Sequence, residues 1–333
     1  MQSKAMIAMS GGVDSSVAAF LMQRAGFDCM GATLRLFDNE TIGKEEKTCC
    51  SLDDVEDARS VARKLGIPHY TFNFKEDFDN KVIRKFVSCY EQGLTPNPCI
   101  DCNRCLKFGL FLDKALEMGY DYIATGHYAR AANGHIYKGH PENDQSYMLC
   151  RLTREQAGRL ILPLGGYEKK QVREMAESFG LDTAKKPDSM EICFIPDKDY
   201  ISWMSKRVEL PGAGDFVFHG EVIGRHEGIY RYTVGQRRPG LYNERKLYIS
   251  RIDARTNSIE LALWEELFKT EYTDLVTGIL EASPDTKIIC QFHSGFFARQ
   301  SEQSGDKINC IAVRLASEAM ETLIYFHARI SVI

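Results

Sequence analysis

The chain has no long apolar run, no Walker A ending and no dinucleotide fingerprint, and each absence removes a class of function. No stretch approaches the roughly 20 apolar residues that a membrane-crossing helix needs, so a helical membrane protein is not expected. No glycine loop closes on Gly-Lys-Ser/Thr and no GxGxxG occurs, which excludes the two commonest nucleotide cradles. There is no internal repeat and no low-complexity segment. Charge of either sign is not in excess: 42 Lys and Arg stand against 46 Asp and Glu, a net charge of −4. That balance speaks mildly against a polyanionic partner, although a local basic face can outweigh it. The N-terminus runs almost at once into an apolar segment, which leaves no room for a signal peptide and predicts a cytoplasmic protein.

What is present is ordinary in bulk and unusual in detail. With 333 residues, 44% hydrophobic and 26% charged, the chain is long enough for two or three domains with cores of their own. Eleven cysteines are unlike a disulfide framework in such a chain; in a reducing compartment they point to thiol chemistry or metal binding.

The most informative stretch is Ser10-Gly11-Gly12-Val13-Asp14-Ser15-Ser16, directly behind the apolar run Ala5–Met9. A strand feeding a glycine turn that opens a helix can aim backbone N–H groups and a helix N-terminus at an anion. The hydroxyls of Ser10, Ser15 and Ser16 add donors, and the charge of Asp14 suggests Mg²⁺ beside a phosphate. The bland alternative is a strand-to-helix turn rich in small residues.

Around this loop the first half alternates strands and helices. Val17, Phe20, Leu21 and Arg24 fit a helix ended by Gly26, and 29–34 reads as a second strand. Residues 53–65 carry a helical period stopped by Gly66; 69–74 is a third strand, and 122–125 follows a helix over about 103–118. This order predicts a doubly wound parallel sheet with its ligand at the carboxyl ends of the strands. Helices near 153–160 and 169–179 extend it. After about residue 205 short alternating runs at 215–218, 228–234 and 247–250 suggest a small β domain. The predicted division is 1–205, 206–268 and a poorly patterned β-rich 269–333.

Two cysteines stand in settings that suggest reactivity. In TPNPCIDCNRCLKF, at 95–108, a proline-stiffened loop enters a helix. The expectation there is that the helix N-terminus, Arg104 and Lys107 lower the thiol pKa of Cys102. The second is Cys193 in DSMEICFIP, for which core packing is the competing reading.

Read together, the motifs resemble the tRNA uridine 2-sulfurtransferases of the MnmA/TrmU type, over roughly residues 4–265. SGGVDSS at 10–16, CCSLDDVEDARSVARKLGIPHY at 49–70, TPNPCIDCNRCLKFG at 95–109 and DYIATGHYAR at 121–130 carry the resemblance. NDQSYMLCRL at 143–152, KKPDSMEICFIP at 185–196 and YTVGQRRPGL at 232–241 complete it in order. The resemblance implies an ATP-pyrophosphatase (PP-loop) fold followed by two small β-rich domains. It implies ATP and Mg²⁺ at Ala8, Met9, Ser10, Gly11, Gly12, Val13, Asp14 and Ser15, with Leu34 and Gly126 completing the nucleotide site. Adenylation of the C2 oxygen of the wobble uridine, position 34, in the tRNAs for glutamine, lysine and glutamate would follow, giving pyrophosphate and then AMP. Cys193 would carry a persulfide from a cysteine desulfurase or relay protein; Cys102 would resolve it, leaving a Cys102–Cys193 disulfide for an external thiol to reduce. Asn97, Pro98 and Cys99 align with the stretch that touches the base; His127 and Asn143, Asp144 and Gln145 align with tRNA contacts. Arg225, Arg231, Arg237, Arg238, Arg245 and Lys246 form a candidate phosphate-facing patch, where the bland reading is a solvated surface.

The chain also departs from the family pattern. Cys99 stands where the family usually has Asp, a candidate acid–base group, while Asp101 lies beside Cys102. Cys99, Cys102 and Cys105 with Cys193 could hold an iron–sulfur cluster or zinc, but the preferred reading makes Cys99 and Cys105 spare thiols. Cys49 and Cys50 are expected to pack near the sheet. After Lys287-Ile288 come Ile289-Cys290 instead of the usual Arg-Tyr pair, and no Pro-Gly-Gln turn follows. The competing functions are another PP-loop ATP enzyme and an RNA-binding protein without turnover.

Overall fold

The computed structural model describes residues 2–38, 52–187, 192–195, 199–238 and 246–267. Cys49, Cys50, Arg245, the side chain of Arg238 and the whole of 269–333, including the departures after Lys287, lie outside them. The chain divides into two units: residues 1–85 with 97–200, and 86–96 with 201 onward.

In the first unit β1 (Lys4–Ala8), β2 (Asp28–Arg35), β3 (His69–Asn73), β4 (Tyr122–Ala124) and β7 (Leu160–Ile161) form one sheet in the order β3-β2-β1-β4-β7. Every pairing in it is parallel. Ala5, Met6 and Ile7 are all fully buried, as a strand covered on both faces requires. Ala5, Ile7 and Met9 pack with Val17 and Ala18 of α1 (Val13–Arg24), Ala58 and Val61 of α2 (Leu52–Leu65) and Val172 and Ala176 of α8 (Lys169–Ser178). The chain leaves β1 toward β2 on one side and meets β4 on the other. The carboxyl ends of β1 and β4 are therefore the topological switch point, where an open α/β sheet leaves room for a ligand.

Shorter helices fill the connections: α3 (Lys75–Phe78), α5 (Pro98–Cys102), α6 (Phe111–Glu117) and α7 (Arg154–Gly158), while α4 (Arg84–Glu91) belongs from Phe86 on to the second unit. The helix expected over about 103–118 is present but not uniform: Asn103–Leu110 winds as a π-helix before α6 begins. The segment expected as helix through Leu160 stops at Gly158, because Leu160 pairs with Ile123 as a strand. A hairpin of β5 (Ala129–Ala132) and β6 (His135–Lys138) turns through Asn133 and Gly134, both at positive φ (53° and 75°). Asn-Gly is the preferred pair for that turn, a signal the sequence reading passed over.

The second unit holds α9 (Tyr200–Ser205) from Ile201 onward and a five-stranded sheet. Its strands are β8 (Gly214–Phe218), β9 (Glu221–His226), β10 (Arg237–Arg238), β11 (Leu247–Asp253) and β12 (Ser258–Ala262), in the order β10-β11-β12-β8-β9. Phe216, Leu247, Ile249 and Ile259 are fully buried in its core. The run at 228–234, expected as a strand, is instead a 3₁₀ turn over Ile229–Arg231. Gly228 at φ 137° breaks the extended chain, and its N–H donates to His226 Nδ1 at 3.1 Å.

Candidate active site

The loop after β1 is built against α2 and α1. Gly11 has φ +75°, and a Cβ there would meet the Asp54 carbonyl oxygen at 2.3 Å, so only glycine fits. Gly126, after β4, packs on the first turn of α1, where a Cβ would lie 2.8 Å from the Asp14 carbonyl carbon and 2.9 Å from Ser15 N. The serine hydroxyls do not all serve as donors to a ligand. Ser15 and Ser16 are buried and donate to the Gly12 carbonyl at 3.0 and 2.8 Å, and Ser15 Oγ accepts from Ser10 N at 3.2 Å. They hold the turn closed; the exposed hydroxyl is that of Ser10. Leu34, near the end of β2, is buried beside this switch point.

Asp14 carries its countercharge inside the protein. Lys169 Nζ donates to both carboxylate oxygens at 2.7 Å, and the hydroxyl of the buried Tyr128 donates to Oδ1 at 2.7 Å. Behind the loop, Lys186 Nζ bonds the Gly11 carbonyl at 3.1 Å, Asp57 at 2.6 Å, and Asp54. Sequence reasoning missed Lys169, Tyr128 and Lys186. Lys169 and Lys170 open α8, where a helix N-terminus disfavours cations, and that local conflict was a signal available in the sequence.

The cysteine segment corrects one expectation outright. Asn97 caps α5, its Oδ1 accepting from Cys99 N at 3.1 Å, and Pro98 takes the first turn. Cys102 is therefore the last residue of α5 rather than its start, and it is buried. Burial pushes its thiol up to about 11; Lys107 opposes this weakly, while Cys99, Cys105 and Asp101 add to it. Arg104, the other cation expected to act on this thiol, is exposed. Asp101 is fixed in a buried pair with Arg151 at 3.4 Å and with Lys85 at 3.1 Å. Cys102 and Cys193 are thiols, with no disulfide between them. Among the described residues no three His, Cys, Asp or Glu side chains converge as a metal shell, so Cys99, Cys102, Cys105 and Cys193 are not gathered into one. Cys99, Cys102 and Cys105 are near enough in space for Cys99 and Cys105 to act on the Cys102 thiol, but with Cys193 they form no shell.

Of the aligned tRNA contacts, His127 lies next to the loop's Gly126 and Tyr128. Its Nδ1 pairs with Thr125 Oγ1 at 2.8 Å, and desolvation, helped by Lys107, holds the ring well below the ordinary imidazole range, hence neutral. Asp144 accepts from Gly139 N at 3.0 Å and from Ser146 N and Oγ at 3.1 and 2.6 Å. Gln145 clasps the Tyr128 backbone through Oε1 at 3.0 Å. Both shape the turn, while Asn143 sits partly exposed on it. In the second unit Arg225 pairs with Asp215 at 3.3 Å and Arg231 with Glu227 at 3.8 Å; Arg237 and Lys246 are exposed. Among the described residues no helix is long and apolar enough to cross a membrane.

Comparison with known proteins adds to this geometry. Residues 3–197 match the tRNA methyl transferase HUP domain and residues 209–262 the tRNA methyl transferase PRC-barrel domain. A tRNA-specific 2-thiouridylase MnmA of Geobacter metallireducens is 45% identical over 304 residues, covering 86% of this chain and 82% of its own length. That of Pelotomaculum thermopropionicum is 48% identical over 278 residues, with 79% and 76% covered. That of Clostridioides difficile is 45% identical over 284 residues, with 81% and 78% covered. With its glycine loop and both cysteine motifs in place, the chain belongs to the tRNA-specific 2-thiouridylase (MnmA) family.

Proposed function

We propose that the chain converts the wobble uridine, position 34, of the tRNAs for glutamine, lysine and glutamate to 2-thiouridine, using ATP and a cysteine persulfide. The observation that carries this reading is the meeting of the Met9–Gly12 loop and Gly126 at adjacent strand ends, with Gly126 packed on the first turn of α1. Backbone N–H groups at the start of α1 would bind the phosphates, in a site formed by Ala8 to Ser15, Leu34 and Gly126. Mg²⁺ would offset phosphate charge, and Asp14, paired here with Lys169 and Tyr128, would be the loop carboxylate to hold it.

Oxygen O2 of the uracil is a poor leaving group until it is adenylated. It attacks the α-phosphorus and pyrophosphate departs. The terminal sulfur of a Cys193 persulfide then attacks C2, and AMP leaves with the former O2. The Cys102 thiolate attacks Cys193 Sγ, freeing the sulfur on the base and closing a Cys102–Cys193 disulfide. An external thiol returns two electrons and reopens it. Because burial holds Cys102 as a thiol, it stays unreactive until tRNA or a nearby cation lowers its pKa. Asp101 is committed to Arg151 and Lys85, which disfavours it as a substitute for the Asp that the family pattern places at Cys99, a candidate acid–base group. A base in an anticodon loop is unpaired and splays out at modest cost, toward Asn97, Pro98, Cys99, His127 and the Asn143–Gln145 turn. The sulfur comes from a cysteine desulfurase or relay protein, and the cytoplasm supplies the reducing thiol.

The test is incubation of the chain with unmodified tRNA, MgATP and a persulfide source, followed by nucleoside mass spectrometry and nucleotide analysis. The expected products are 2-thiouridine, AMP and pyrophosphate. ADP and phosphate would point to a different PP-loop chemistry, and tRNA bound without ATP consumption to a binding protein.

A further inference from the structure

Lys186 does something that none of the motif assignments require. Its backbone is pinned by Arg173 of α8, whose Nη1 donates to the carbonyls of Ala184 and Lys186 at 3.0 Å each. Its side chain then reaches back to the nucleotide loop. The ammonium bonds the Gly11 carbonyl at 3.1 Å, Asp57 at 2.6 Å, and the buried Asp54. Burial works against the charge, but the hydrogen bonds and charges of the two aspartates outweigh it and hold the ammonium above its ordinary value.

We infer that Lys186 is a positioning residue for ATP, acting through the Gly11–Gly12 peptide. The inference rests on the reading of this loop as the ATP site. A trans peptide points its C=O and N–H in opposite directions, and no peptide bond here is cis. Drawing the Gly11 oxygen toward Lys186 and α2 therefore turns the Gly12 N–H away from them, to the side where α1 begins and a phosphate is received. The same ammonium cancels two carboxylates directly behind the loop. Asp54 stands so close that its carbonyl would meet a Cβ on Gly11 at 2.3 Å. Without Lys186, a polyphosphate would approach a misoriented peptide backed by uncompensated negative charge.

The experiment compares the full chain with Lys186→Met, Lys186→Gln and Lys186→Arg. MgATP affinity is measured by calorimetry, KM and kcat in the thiolation assay, and folding by circular dichroism. Losing one charge-assisted contact of this kind weakens ATP binding by about tenfold or more. The expected result is that rise in Kd and in KM for ATP in the Met and Gln variants, with KM for tRNA unchanged and kcat within about threefold. Lys186→Arg, which keeps the charge, recovers most of the affinity. Whichever neutral variant folds suffices for the comparison. A folded neutral variant with the parent's Kd, or an Arg variant no better than Met, overturns the inference. If the parent itself fails to bind MgATP, the reading of the loop falls instead, independently of Lys186.

Discussion

The nucleotide loop and the cysteine segment are both short motifs entering helices in the same unit, yet they treat their reactive groups in opposite ways. At the loop, charge is met by charge: Asp14 by Lys169, Asp54 and Asp57 by Lys186. At the cysteine segment the Cys102 thiol is buried, desolvation outweighs the pull of Lys107, and Asp101, its charged neighbour in sequence, is paired with Arg151 and Lys85. The first site is preorganised to receive a polyanion. The second is held as a protonated thiol, which fits the role proposed for Cys102, a thiol that waits for a persulfide and a base. Similar local sequence logic therefore yields a poised site in one place and a guarded one in the other, and tertiary contacts make the difference.

Breaking the guarded side has the largest expected effect. Cys193→Ser or Cys102→Ser removes a thiol that no hydroxyl replaces in persulfide chemistry, and 2-thiouridine formation falls by about 1,000-fold or more. MgATP affinity stays at the parent's value, since the loop is untouched; nucleoside mass spectrometry and calorimetry check the two halves.

On the poised side, Gly11→Ala combines positive φ with backbone overlap, and costs about 3 kcal/mol or more in urea unfolding. Gly26, at φ +84° with nothing within 4 Å of a built Cβ, provides the control. Gly26→Ala bears the conformational strain alone, about 1 kcal/mol. Equal losses at both glycines would show that the approach of Asp54 to the loop is unimportant.

Asp14→Asn leaves Lys169 without its counter-ion and should lower kcat/KM for ATP by about 30-fold, with KM for tRNA unaffected. An effect confined to tRNA would remove Asp14 from the nucleotide site.

The smallest effect sharpens the contrast in reactivity. A thiol raised to about 11 stays protonated through neutral pH. Its alkylation rate should therefore climb roughly tenfold per pH unit from pH 7 to 9, without a plateau. Peptide mass spectrometry after iodoacetamide treatment reads Cys102 separately from the other cysteines. A plateau near pH 7 would restore the activated thiol that sequence proximity to Arg104 and Lys107 suggests.

Much of the fold was legible because its signals are local. Apolar β1, the glycine turn and the periods of α1, α2 and α8 place the parallel sheet and the nucleotide loop at its switch point. The cysteine motifs marked the family by residue type and order. What was not legible depends on residues distant in sequence. Lys169 lies 155 positions from Asp14 and Lys186 lies 132 from Asp54, so no spacing rule connects them. The pKa of Cys102 was misjudged because nearness in sequence to two cations says nothing of burial. The run at 228–234 was misread because alternation alone does not distinguish a strand from a turn that Gly228 closes with a positive φ.

The central claim is that the C2 oxygen of the uridine is adenylated before sulfur arrives, and an isotope follows it directly. tRNA carrying ¹⁸O at C2 of the wobble uridine is thiolated by the chain with unlabelled MgATP, and the AMP is analysed by mass spectrometry. The account predicts one ¹⁸O in the phosphate of each AMP formed with 2-thiouridine. Unlabelled AMP, with the isotope released to water, would contradict it.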